Sequence, residues 1–165
     1  IAPAAEPSPP LPAAAPLPPG PRWQGYAGWD FVTPLDVLMS QGARLHDSAP
    51  QDRSACLYLQ LPSVGRDALS LMVENGRFVR YDVYGPGLLA PGGGAVGMTR
   101  AQLQMRYPDQ TSVSPNKYLR GVLDLRVTPP SGQDHGLVFV IGADGFVQQW
   151  RLGLVPQVDY AEGCG

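Results

Sequence analysis

Hydrophobic and polar residues alternate in two short stretches of this chain and take a helical spacing in two others. Leu57, Leu59 and Leu61 share one side of "CLYLQL", and Leu123, Leu125 and Val127 share one side of "VLDLRV". A period of two puts alternate side chains on one face, so both stretches read as half-buried strands. "ALSLMVENGRFVRYDVYG" and "GLVFVIGADGFVQQWRLG" each hold two apolar runs parted by a turn signal, Asn75-Gly76 and Asp144-Gly145, and read as hairpins. Helical spacing occurs in "VTPLDVLMSQG", where Thr33 is expected to cap, Pro34 to take the first helical position, Asp36 to reach back to an amide and Gly42 to stop the helix. It recurs in "RAQLQMRY", where Thr99 and Gln102 form a capping box and Pro108 marks the exit.

The second half repeats the order of the first. A shift of 68 lays Leu69, Leu71 and Val73 on Leu137, Phe139 and Ile141, and Phe78, Val79 and Gly85 on Phe146, Val147 and Gly153. A shift of 66 lays Thr33, Val37 and Met39 on Thr99, Leu103 and Met105, and Leu57, Leu59 and Leu61 on Leu123, Leu125 and Val127. The expected fold is therefore α+β: two tandem helix-strand-strand-strand units, residues 23–93 and 94–165, forming antiparallel sheet with the helices on one face. The opposite face is expected to stay open.

Composition adds a third segment. Residues 1–22 hold nine of the nineteen prolines and read as a Pro/Ala-rich tether with no helix or sheet core of its own. Two expectations stand for it, a spacer below a lipid-bearing cysteine that preceded Ile1 and a free end with no role. The net charge of −2 gives no electrostatic reason to expect nucleic acid, and no apolar run approaches the roughly 20 residues of a membrane-crossing helix. Membrane contact is expected only through such an anchor. Cys56 and Cys164 lie 108 positions apart, outside any metal or redox spacing. A disulfide between them is the reading adopted, with two buried thiols as the alternative; a bridge would imply an oxidising compartment.

"GGGAVGMT" at 92–99 sits one residue from a phosphate-binding loop, but Met98 stands where that loop carries its lysine. Gly97-Met98-Thr99 reads instead as the start of a helix. In that role "VGMTRAQLQ" resembles the Gly-Met-Thr-x-x-Gln-Val helix start of the β-lactamase inhibitory proteins and of the small lipoprotein in the outer-membrane β-barrel assembly machine. The resemblance implies a tandem α+β protein that binds another protein and catalyses nothing. The first unit departs from it at Val32-Thr33-Pro34, and the inhibitors' cysteine pairs within each repeat are missing, which leaves the target open.

Other chemistry is sparse. Ser114-Pro115-Asn116-Lys117 fits Ser-x-x-Lys but reads as a turn, not a buried helix start. His46 and His135 fall in loop-like stretches beside Asp47 and Asp134, and "GADG" at 142–145 reads as a hairpin turn. No metal ligand set, cofactor site or catalytic residue is assigned. Asp82, Asp124, Asp159 and Glu162 are the carboxylates that a hydrolase would use if they met in space. For binding, Tyr58, Gln60 and Arg126 fall opposite the leucine faces, and Arg80, Tyr81, Tyr84, Gln148, Trp150 and Arg151 lie on the hairpins' second strands. Tyr, Trp and Arg are the side chains that most often anchor protein interfaces. The expectation is a non-enzymatic periplasmic or secreted protein-binding domain, outer-membrane anchored if a lipidated cysteine preceded Ile1, that acts as an inhibitor or immunity protein on another bacterial protein. Alternatives are an envelope scaffold lipoprotein and a hydrolase with an unrecognised carboxylate site.

Overall fold

A computed structural model describes residues 20–130 and 132–165; the tether expected at 1–22 lies outside them except for Gly20, Pro21 and Arg22. The architecture is mixed α/β with mostly antiparallel sheet and little helix. In chain order the elements are β1 (Pro21–Arg22), β2 (Gly25–Tyr26), β3 (Trp29–Asp30), α1 (Leu35–Ser40), β4 (Arg44–Leu45), β5 (Leu57–Gln60), β6 (Leu69–Glu74) and β7 (Arg77–Val83). There follow α2 (Arg100–Arg106), β8 (Thr111–Pro115), β9 (Leu123–Val127), β10 (His135–Ile141), β11 (Val147–Leu154) and a 3-10 turn at Gln157–Asp159. β1, β2 and β3 make a small sheet of their own, so Pro21 and Arg22, expected in the spacer, are paired. The main sheet runs β4-β5-β6-β7-β11-β10-β9-β8, antiparallel throughout.

To the main sheet each half contributes one strand more than expected, β4 and β8, at its two edges, and the first half adds the unexpected β1, β2 and β3. Neither edge strand announces itself: β4 has two residues, and β8 is polar and ends on Pro115, which an edge tolerates because no neighbour needs its amide. Ser114 and Pro115, expected in a turn, thus belong to a strand.

The registers of the halves correspond. Leu57 pairs Val73 and Leu59 pairs Leu71; Leu123 pairs Ile141 and Leu125 pairs Phe139. At the centre β7 meets β11 with Val83 against Trp150, Asp82 against Arg151 and Tyr81 against Leu152. Both hairpins are bulged, between Met72 and Val73 in one and between Val140 and Ile141 in the other. Val73 therefore pairs Phe78, while Ile141 pairs Val147 and not Phe146. This corrects the expected superposition of Phe78 on Phe146 by one position.

The helix starts are offset as well. Val32 donates its amide to Phe78 O, and Phe78 donates to Thr33 O; Gly97 donates to Val147 O, and Val147 donates to Met98 O. Val32-Thr33-Pro34 thus makes the backbone contacts that Gly97-Met98-Thr99 makes in the other half, with φ of 71° at Val32 and 94° at Gly97. Contrary to expectation, Thr33 is not the cap of α1. Pro34 holds that position with no side-chain cap, while the Thr33 hydroxyl donates to Asp30 O at 2.6 Å and Asp36 Oδ1 accepts from the amide of Val37.

Thr99 does cap α2. Its Oγ1 accepts from the Gln102 amide at 3.3 Å, and Gln102 Oε1 accepts from the Thr99 amide at 2.9 Å. Thr99→Ala is expected to cost about 1 kcal/mol, read as a lower urea midpoint with an unchanged slope.

Leu38 and Leu103 are fully buried in one cluster with Leu59, Leu71, Tyr81, Leu125, Phe139 and Trp150. The glycine run is packed into this core. A Cβ on Gly94 would run into the Phe139 ring. Its amide donates to the Tyr107 hydroxyl at 2.9 Å, and that hydroxyl donates to Pro91 O at 2.6 Å. Burial pushes the Tyr107 phenol up to about 12. The Gly94 amide is therefore used inside the protein. Among the described residues no helix is long and apolar enough to cross a membrane.

Candidate functional site

Strand alternation puts Ser70, Asp82, Arg151, Val138, Arg126 and Ser112 in one cross-strand row on the face away from the leucines. That face is not open, which corrects the expectation from sequence. The C-terminal segment after β11 lies across it and leaves Val158 fully buried. Arg80 Nη1 donates to Gln157 O at 2.9 Å and to Tyr160 O at 2.8 Å, and Arg151 Nε donates to Val158 O at 2.6 Å. Arg126 pairs with Asp159, and the side chains of Gln157 and Tyr160 both reach Glu74. The Cys56–Cys164 disulfide holds the far end of the segment, with the Cα atoms 5.3 Å apart.

The charges beneath are unevenly matched. Both Asp82 oxygens accept from Arg80, at 2.6 Å from Nε and 2.8 Å from Nη2, and all three charged side chains are buried. Burial pulls the Arg80 pKa down, but hydrogen bonding to Asp82 and its negative charge outweigh this and raise it. Burial, and then the like charge of Arg80, lower that of Arg151.

The residues chosen from sequence therefore divide. Arg80 and Arg151 lie on the second face under the tail. Tyr81 and Trp150, both 0% exposed, point the other way into the core, packed edge to face at 5.7 Å between ring centroids. A bulge explains this: one extra residue on the second strand of each hairpin reverses the facing of all that follow. Tyr58 is half-buried, stacked on His46 at 5.9 Å, and Gly163 passes so close that a Cβ there would strike its hydroxyl. Gln60 and Arg126 are half-buried, while Tyr84 and Gln148 are exposed.

Of the four carboxylates, Asp124 and Asp159 line one small cleft, and Asp159 and Glu162 line another. Asp82 is held by Arg80, Asp124 accepts from Asn116 Nδ2 at 3.0 Å, and Asp159 pairs with Arg126. His46 Nε2 is buried without a partner among the described residues, and burial lowers its pKa, followed by the charge of Arg66. His135 opens β10 opposite Leu154. Lys117 stands in the loop after β8, so Ser114 and Lys117 do not share a helix. Among the described residues no group of three or more His, Cys, Asp or Glu is placed to hold a metal.

Sequence reasoning missed a cleft of 520 Å³ against α1. Leu35, Met39 and Leu45 line it together with Asp36, Arg53 and Asn75. Met39 is 39% exposed, and Val32, just before the helix, is 58% exposed. The available signal was Met39 and Leu35 lying four residues apart on a six-residue helix, and so on one face beside each other.

No family model matches the chain and no curated protein matches it. Among solved structures, that of the uncharacterized protein yfeY from Escherichia coli is similar, with a TM-score of 0.48 and 13% sequence identity; the match covers 82% of this chain and 97% of that one.

Proposed function

We propose that the chain is a non-enzymatic protein-binding domain working in the periplasm or outside the cell, as an inhibitor or immunity protein that neutralises another bacterial protein. The observation that carries this reading is the apolar cleft against α1, with Met39 and Val32 left open to solvent. Contiguous apolar surface is costly in water, and where a folded protein keeps it, the surface commonly meets another macromolecule. Val32 adds a second reason. A β-branched residue at φ 71° is strained by about 1–3 kcal/mol, and such strain collects at sites of function.

We also read residues 23–93 and 94–165 as copies of one unit, with both helices over the same sheet face. The matched registers and helix starts favour this, and it is the arrangement implied by the resemblance to the β-lactamase inhibitory proteins and the assembly-machine lipoprotein. The disulfide fits an oxidising compartment. A scaffold lipoprotein of the envelope is the second reading, favoured by the nine prolines of residues 1–22, which suit a spacer.

The test is capture from envelope extract with the wild type and with Met39→Glu. The wild type should enrich one protein, and Met39→Glu, with an unchanged unfolding midpoint, should lose it. Stoichiometric addition should then depress the captured protein's activity if the chain is an inhibitor and leave it unchanged if the chain is a scaffold. Equal capture by both forms would remove the α1 cleft from the interface.

A further inference from the structure

A second cleft, of 210 Å³, opens where Ser114, Lys117, Asp124, Arg126, Arg151 and Asp159 come together beside the tail. At roughly 30 Å³ per water it has room for about seven waters, the size of a small organic acid. Arg151 is 7% exposed, and its Nε is used on Val158 O. Asp82 faces it directly across the ladder, but both oxygens of that carboxylate are taken by Arg80. The one side-chain hydrogen bond of Arg151 is that from Nε, so its Nη1 and Nη2 donors meet no acceptor among the described residues. These donors keep contact with water, since among the described residues only His46 Nε2 and Trp150 Nε1 are buried without a partner; a two-oxygen anion entering the cleft can replace that water in the bidentate geometry that guanidinium favours.

We propose that this cleft binds a small carboxylate, gripped by the outer edge of Arg151 and attracted by Lys117. Arg126 is already neutralised by Asp159, whereas Lys117 forms no ion pair among the described residues and lies 5.5 Å over the Tyr118 ring. Asp124 faces the same space, held by Asn116, and repels a doubly charged phosphate more than a singly charged carboxylate. The lowered pKa of Arg151 is the direction that a bound anion would reverse. This site is separate from the α1 cleft, and its test does not depend on the docking reading.

The experiment is titration of the wild-type chain with sodium acetate at constant ionic strength, followed by amide chemical shifts. Inorganic phosphate and sodium chloride serve as parallel titrants. Acetate should give saturable shifts at Ser114, Asp124 and Ala161, stronger than those from phosphate. Arg151→Gln should weaken acetate binding by about 10-fold or more, the factor that 1.4 kcal/mol represents. If that variant fails to fold, Lys117→Ala decides, since this exposed residue can be changed without disturbing the core; it should weaken binding several-fold. Linear shifts equal to those from chloride, or an affinity indifferent to Lys117→Ala, would overturn the site. Tighter binding of phosphate would overturn the carboxylate assignment.

Discussion

Replacing Cys56 and Cys164 together by alanine should lower the free energy of unfolding by about 4–5 kcal/mol. The bridge spans 108 positions, and closing a loop of about 100 residues removes that much conformational freedom from the unfolded chain. A typical domain has only about 5–15 kcal/mol in all, so the reduced protein should sit near the edge of its stability. Urea unfolding of the oxidised chain and the double variant measures this directly. Hydrogen exchange would add where the loss is felt. Amides near Cys164 should open first, while those of Gln157–Asp159 should stay slower, because Arg80, Arg151 and the buried Val158 still hold that turn. A loss below about 1 kcal/mol would mean that the unfolded chain remains constrained without the bridge.

Asp82→Asn is expected to cost about 3–5 kcal/mol, comparable to the disulfide though it changes one atom. Asp82 is the anion between two buried arginines, and removing it leaves Arg80 desolvated without its partner and beside the like charge of Arg151. The two guanidiniums then repel one another in a space shielded from water. Adding Arg151→Met should return part of the loss, so the double variant should be more stable than the sum of the single effects predicts. Strict additivity would show that Arg80 alone feels the loss of Asp82.

Much of the local structure was legible from residue order. The leucines of β5 and β9 face the core, Asn75-Gly76 and Asp144-Gly145 turn the hairpins, and Thr99 with Gln102 caps α2, because each signal acts within a few residues. The candidate site was less legible. From residue order Tyr81 and Trp150 are expected as surface anchors, yet the bulges turn them inward; Arg80 and Arg151 are expected on an open face, yet the tail covers them. Nothing within either strand marks the extra residue of a bulge, because it is defined against the partner strand. Thr33 illustrates the same limit. It is a good capping residue three positions before an acid in the first turn, Asp36, yet the bonds between Val32, Thr33 and Phe78 set the helix start one residue later.

By itself the sequence determined the two helices, the longer strands, the hairpin turns and the presence of two cysteines far apart, since alternation, turn chemistry and capping are short-range properties of the chain; the short β1–β4 and the polar β8 carry no such signal. Only the tertiary structure decided which side chains share a face, that β7 and β11 join the two halves into one sheet, and that the last eleven residues close over its second side. Those outcomes depend on groups distant in sequence meeting in space, where a one-residue change of register reverses every side chain beyond it.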